Sequence, residues 1–157
     1  MSVLDEKDEK IVYLLMQNGR MSAAEIARKV GNISERSVRY RIQKMEDEGL
    51  IKISAIVNPK SLGLNVIADV FIEVEPSRIL EVARMLIEFD CVSYVACAIG
   101  ERDISVQVVA KDSNEVYTFV TDTIGKIPGI RKTTTSIVPL VLKDVYEWHI
   151  PKSFHCS

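Results

Sequence analysis

Residues able to cross-link, bind metal or shuttle protons are scarce in this chain. Its three cysteines, Cys91, Cys97 and Cys156, are an odd number and include no C-x-x-C pair. That spacing, with no paired histidines nearby, argues against a disulfide framework and against a zinc site. Cys91 and Cys97 read as small core thiols. The two histidines, His149 and His155, stand near the end without a metal or catalytic partner, so no catalytic residue, metal or cofactor is expected. No apolar run approaches the ~20 residues that a membrane span needs. The opening MSVLDEKDEK is too acidic for a secretory or transit peptide. The expectation is a cytoplasmic protein with no membrane partner.

What is present is ordinary in bulk and uneven in detail. The chain has 157 residues, 47% hydrophobic and 27% charged, with a formal net charge of −2. This length admits one medium domain or two small ones. Split at residue 60, the first part carries 11 Lys/Arg against 9 Asp/Glu, and the rest carries 9 against 13. The positive charge is local, as expected if one half meets phosphate and the other does not.

That positive charge is concentrated in Met21–Gly49. Ser22 and Glu25 stand three apart, as in a capping box, and Ala23, Ile26, Ala27 and Val30 follow at helical spacing up to Gly31. Ser34 reads as the N-cap of a second helix that ends near Gly49, with Val38, Ile42 and Met45 as its apolar stripe. Arg36, Arg39, Tyr40, Gln43 and Lys44 lie off the stripe and should face out. From Arg28 to Lys44 there are six Lys/Arg and one acid, Glu35. Two helices, a short turn and a basic face able to hydrogen-bond are the parts of a DNA-reading helix-turn-helix. Arg41 either pairs with an acid such as Glu46 or Glu48 or contacts DNA. Tyr40 either stacks on sugar or covers the stripe.

Around this motif the chain falls into four segments. Asp5–Gln17 is a preceding helix with Ile11, Leu14 and Leu15 on one face and acids in its first turn, completing a three-helix module over 1–50. Residues 51–65 read as a hinge strand and linker, in which Ile51, Ile53 and Ala55 alternate with polar residues before Asn58-Pro59. Residues 66–143 are β-rich and ordered βαββαβ, a ferredoxin-like pattern. The strands are Val66–Glu75, Val92–Ile99, Ile104–Ala110 and Arg131–Leu142. The helices run from Pro76-Ser77 to Phe89, with Ile79, Val82, Ala83, Leu86 and Ile87 on one side, and from Ser113 to Lys126, with Val116, Phe119, Val120, Thr123 and Ile127 inward. Residues 144–157, with Trp148 and Phe154, form an extension read as packing or interface. The pattern gives strand order 4-1-3-2, all antiparallel, with strand four at an edge that tolerates Pro139. The Gly100–Asp103 turn and the Thr133–Ser136 run would share a rim. Helices would cover one sheet face, and the other would expose much of VIADVFIEV, an apolar patch that argues for self-association.

The order and spacing of LDEKDEKIVYLLMQNGRMSAAEIARKVG, SVRYRIQKMEDEGLIK, NPKSLG, IGERD and IPGIRKTTTSIV resemble the Lrp/AsnC, or feast/famine, transcription regulators across roughly residues 4–143. The resemblance implies an α+β chain: a winged-type helix-turn-helix, a hinge strand, and a ferredoxin-like domain that dimerises and often assembles further. It implies double-stranded DNA as partner and a small effector, commonly an amino acid, bound where such domains meet. Carried over by position, Ser34, Glu35, Arg36, Ser37, Arg39, Tyr40, Gln43 and Lys44 would read DNA. The effector rim would comprise Gly100, Glu101, Arg102 and Asp103 with Thr133, Thr134, Thr135 and Ser136. Asp103 would accept the ammonium of a zwitterion, and hydroxyls or backbone N–H groups would meet its carboxylate. The same features also admit plainer readings, a tight turn whose Asp caps backbone and a β-branched strand filler. The sequence departs from the family in three places: a turn before Ser34 one residue longer than usual, Arg102 where an aromatic is common, and the extension itself. Sirohaem decarboxylases share the two-domain plan, but they would blunt the basic helix and place His and Arg around a tetrapyrrole. Here the helix is intact and neither His lies in the sheet or hinge, so a regulator is expected, or a DNA-binding architectural protein without effector, rather than an enzyme.

Overall fold

The structure, a computed structural model, describes residues 4–144. His149, His155, Cys156, Trp148 and Phe154 lie outside the described residues. The chain divides into two compact units, one holding the described residues up to Ile56 together with Lys143 and Asp144, the other spanning Val57–Leu142.

The first unit holds three helices, α1 (Glu6–Gln17), α2 (Ala23–Val30) and α3 (Glu35–Asp47). Each begins at a side-chain cap. Asp5 accepts from the amides of Lys7 and Asp8, Ser22 from that of Glu25, and Ser34 from that of Ser37. The reciprocal capping box expected at Ser22 and Glu25 forms instead at Asp5 and Asp8, whose carboxylate returns to the Asp5 amide at 3.2 Å. Glu25 turns along α2 toward Lys29, 3.7 Å away. One buried residue or pair from each helix makes the core: Ile11 and Val12, Ile26, and Val38 with Met45. Ile42 and Ile51 pack against it. The stretch read as a hinge strand, residues 51–58, forms no ladder among the described residues, because a strand needs a neighbour and one chain supplies none.

The second unit is β1 (Val66–Val74), α4 (Ile79–Leu86), β2 (Val92–Cys97), β3 (Ile104–Ala110), α5 (Ser113–Thr118) and β4 (Ile130–Val138). Sheet order is β2-β3-β1-β4 with every pair antiparallel, as the βαββαβ pattern requires. Several expected boundaries shift. Strand β4 stops at Val138, so Pro139 lies beyond the ladder rather than within it. Helix α4 ends at Leu86, leaving Ile87 60% exposed instead of inward. Helix α5 loosens into a π turn at Phe119–Thr123. The wider turn moves the buried face, so Ile124 is fully buried where Thr123 was expected. Cys91 packs half-buried on the core, and burial pushes its thiol up. Cys97, expected in the core, is exposed at the end of the edge strand β2.

The sheet faces also divide differently from expectation. Ala68, Val70, Ile72 and Val74 are fully buried beneath the helices with Val82, Leu86, Val116, Val120 and Ile124. The period of two sends Ile67, Asp69, Phe71 and Glu73 to the open face. That face is therefore mixed rather than a broad apolar patch, and Gln107 donates to Asp69 across it at 3.2 Å.

Candidate nucleic-acid interface and effector rim

Helix α3 is amphipathic in the sense a DNA reader needs. Val38 and Met45 hold it to the core, while Ser34, Arg36, Arg39, Tyr40, Gln43 and Lys44 are exposed, with Glu35 and Ser37 at the border. Tyr40 is 69% exposed, so it does not cover the stripe. The outward groups are tied along the helix. Arg39 pairs with Glu35, Gln43 donates to Asp47 at 2.9 Å, and Lys44 lies 3.7 Å from Glu48. Surface pairs of this kind contribute only about 0.3–0.5 kcal/mol, so phosphate can take the cation over. Among the described residues Arg36 alone of the α3 cations has no carboxylate partner.

Arg41 points the other way. Its Nη1 donates to Asp5 and to Asp8, at 2.7 Å each, across more than thirty residues of sequence. Sequence proximity points to Glu46 or Glu48 as its acid, but a side chain at this point on α3 meets α1 rather than its own helix. Asp5 is held down to about 2 by the Asp8 amide it accepts from and by the Arg41 guanidinium. The longer turn ahead of α3 contains two successive left-handed residues, Gly31 at φ 73° and Asn32 at φ 50°. The Asn32 carbonyl accepts from Lys7 Nζ of α1 at 2.9 Å.

At the rim of the sheet the structure separates residues that the sequence grouped. Asp103 is engaged: its Oδ2 accepts the Val74 amide at 2.7 Å and lies 3.6 Å from Arg131. It thereby caps β1 where the register with β4 shifts between Glu73 and Val74. Glu101 and Arg102 instead line a shallow cleft of about 320 Å³ with Gly100, Ile99, Phe71 and Ser105. The Arg102 guanidinium sits over the Phe71 ring, 4.2 Å from its centroid, a cation–π contact that sequence reasoning did not foresee. The register sets Ser105, Phe71 and Thr134 side by side on the open face. Ser136 lies on that face too, but level with Asp69 in mid-sheet, while Thr133 and Thr135 pair with the buried Ile72 and Val70. The hairpin and Thr134 thus converge near Phe71, and the remainder of the run does not.

Two family models match the chain: a winged helix-turn-helix DNA-binding model over residues 4–52 and the Lrp/AsnC ligand-binding domain over residues 67–147. An uncharacterised HTH-type transcriptional regulator of Pyrococcus furiosus is 42% identical over 92% of this chain and 97% of its own length. The HTH-type transcriptional regulator FL11 of Pyrococcus abyssi is 35% identical over 92% and 95%. Among solved structures, AsnC of E. coli superposes with a TM-score of 0.83 at 26% identity, covering 92% of this chain and 99% of that one. A transcriptional regulator of Neisseria meningitidis, determined as its L-Met complex, also gives 0.83 at 26% identity, over 90% and 94%. Among the described residues no helix is long and apolar enough to cross a membrane.

Proposed function

This chain belongs to the Lrp/AsnC family of DNA-binding transcription regulators, and from that premise we propose that α3 reads its operator and that a small amino acid, bound at the Gly100–Asp103 hairpin, modulates a homo-oligomer in the cytoplasm. The observation that carries the DNA reading is the division of α3 itself, with Val38 and Met45 buried and Arg36, Arg39, Tyr40, Gln43 and Lys44 exposed. Cations along one helix face supply salt-dependent affinity, and Gln43 with the arginines supplies hydrogen bonds to base edges. A two-fold pair would place two such helices on half-sites roughly 34–36 Å apart. Ile67, Phe71 and Val109 on the open sheet face provide apolar area for that pairing.

The effector reading draws on the cleft beside Phe71. A zwitterion there meets Arg102 for its carboxylate and Glu101 for its ammonium, since Asp103 already serves the Val74 amide. The Neisseria meningitidis neighbour was solved with L-Met, which favours a free amino acid of that size. Effector binding acts by preferring one assembly over another.

The test is double. Arg39→Ala with Lys44→Ala should weaken binding to the chain's own promoter at least tenfold and flatten its salt dependence by about two ion equivalents. Unchanged affinity removes α3 as the reader. A thermal-shift screen of the twenty amino acids should yield at least one that raises the melting temperature of wild type and not of Arg102→Ala. If none does, the chain is a DNA-binding protein without this effector.

A further inference from the structure

Four cations project from α3, and one of them is withheld from its outer face. Arg41 is 27% exposed and Asp8 16%, the least exposed ion pair among the described residues. The second carboxylate, Asp5, is also the N-cap of α1. A separate bond from the same turn of α1, Lys7 Nζ to the Asn32 carbonyl, grips the chain just before α3 begins. Helix α1 therefore holds α3 at Arg41 and the turn leading into it at Asn32, nine positions apart in sequence. One attachment fixes a point, whereas two leave only a roll about the line joining them, and the seat of Val38 and Met45 on the core narrows that roll.

Rotation decides what a recognition helix can read. Side-chain tips lie roughly 6 Å from a helix axis, so a 20° turn displaces them by about 2 Å. Hydrogen bonds to base edges tolerate only a few tenths of an ångström about ~2.9 Å. The apolar contact under α3, Val38 and Met45 with Ile42 beside them, is non-directional and permits such slippage. The charge-assisted bonds to Arg41 are directional and do not. Gly31 and Asn32, both at positive φ, turn the chain into α3, and it is there that Lys7 attaches.

We propose that the first turn of α1, through Asp5, Lys7 and Asp8, is the mount that sets the rotation of α3, with Arg41 as a positioning residue and not a DNA contact. This rests on α3 being the reading helix. Two acids hold Arg41 against the module, and the side chains left to meet base edges are those the mount presents.

The two roles for Arg41 predict opposite signs for Asp8→Asn. If Arg41 touched phosphate, removing an acid beside it would strengthen DNA binding. On the positioning reading, Asp8→Asn and Arg41→Gln each weaken binding to a duplex enriched from a random library by the wild-type full chain by about tenfold. Their affinity for poly(dI-dC) stays within twofold of wild type. The salt slope is unchanged, since no phosphate contact is lost, and the double variant is no worse than either single one. Asp8→Glu, which keeps a carboxylate, restores most of the discrimination. Lys7→Met, at a partly exposed side chain, should lower the ratio of specific to non-specific affinity about threefold. It decides the question if Asp8→Asn does not fold. Tighter binding by Asp8→Asn, or a salt slope reduced by about one in Arg41→Gln, would overturn the proposal. So would additive losses in the double variant, or an unchanged ratio in Lys7→Met. Arg39→Ala with Lys44→Ala, run alongside, separates the premises. If that pair leaves binding intact, α3 is not the reader; if it weakens binding while Asp8→Asn does not, only the mount is wrong.

Discussion

Removing the Asp103 carboxylate should destabilise the sheet before it affects any ligand. The group accepts the Val74 amide at 2.7 Å, and Val74 is fully buried at a register shift where regular pairing with β4 lapses. A hydrogen bond to a charged acceptor contributes about 1.5–3 kcal/mol, and a buried amide left unpaired costs the upper part of that range. The side chain is 21% exposed, so little of this is lost to solvent, whereas Arg131 at 3.6 Å is more than half exposed and adds under about 1 kcal/mol. Asp103→Ala should therefore cost about 2–3 kcal/mol. For a unit the size of Val57–Leu142 that lowers the thermal transition by roughly 10–20 °C. Asp103→Asn, which keeps an acceptor oxygen but not its charge, should cost about 1 kcal/mol. Urea melts of the full chain give the energies, and hydrogen exchange at the Val74 amide identifies the bond responsible. If Asp103→Ala melts like wild type and the Val74 amide is no less protected, the carboxylate is not a strand cap. It would then return to the effector as its ammonium acceptor.

Other expectations follow from single positions. Asp5 has its folded pKa depressed to about 2, so its contribution is present above the unfolded value near pH 4 and is lost as pH falls through 2. The melting-temperature difference between wild type and Asp5→Asn should narrow steadily from pH 5 towards pH 2; a gap as wide at pH 2 as at pH 6 contradicts the assignment. Gly129 sits at φ 95°, and a Cβ there would lie 2.9 Å from Arg78 Cδ. Gly129→Ala should cost about 1–2 kcal/mol from the left-handed backbone alone, and Arg78→Ala should relieve only the excess above that, measured as a double-variant cycle of melts. Ile124→Ala should cost about 2–5 kcal/mol and Thr123→Ala under about 1 kcal/mol. Equal losses would place the π turn elsewhere.

The parts of this protein visible in its sequence are those set by local rules. Ser22, Ser34 and Gly31 mark helix ends because capping hydroxyls and left-handed turns act within a few residues. The strand order follows from the alternation of strands and helices, since short connections leave few topologies. What was missed depends on distant partners. Nothing near Arg41 in sequence indicates that its acids lie on α1, and Glu46 and Glu48 stand nearer along the chain. The Arg102 contact joins a hairpin to a strand thirty residues away. Thr133–Ser136 reads as one polar run, but the pleat sends alternate members to opposite faces. Ile124 displaced Thr123 because the π turn adds a residue that regular helical spacing does not anticipate.

The polar crossing between Asp69 and Gln107 has a consequence for which chains can pair. A freshly made chain with a wholly aliphatic open sheet would adhere to any exposed hydrophobic surface it met. Here a carboxylate and an amide lie between Phe71 and Ile67. A foreign surface that buried them without offering partners would forfeit about 1–3 kcal/mol for each unsatisfied group. A second copy turned so that its own crossing lies opposite can satisfy them directly or through trapped water. On the proposed pairing, this crossing would restrict the face to a second copy in few orientations.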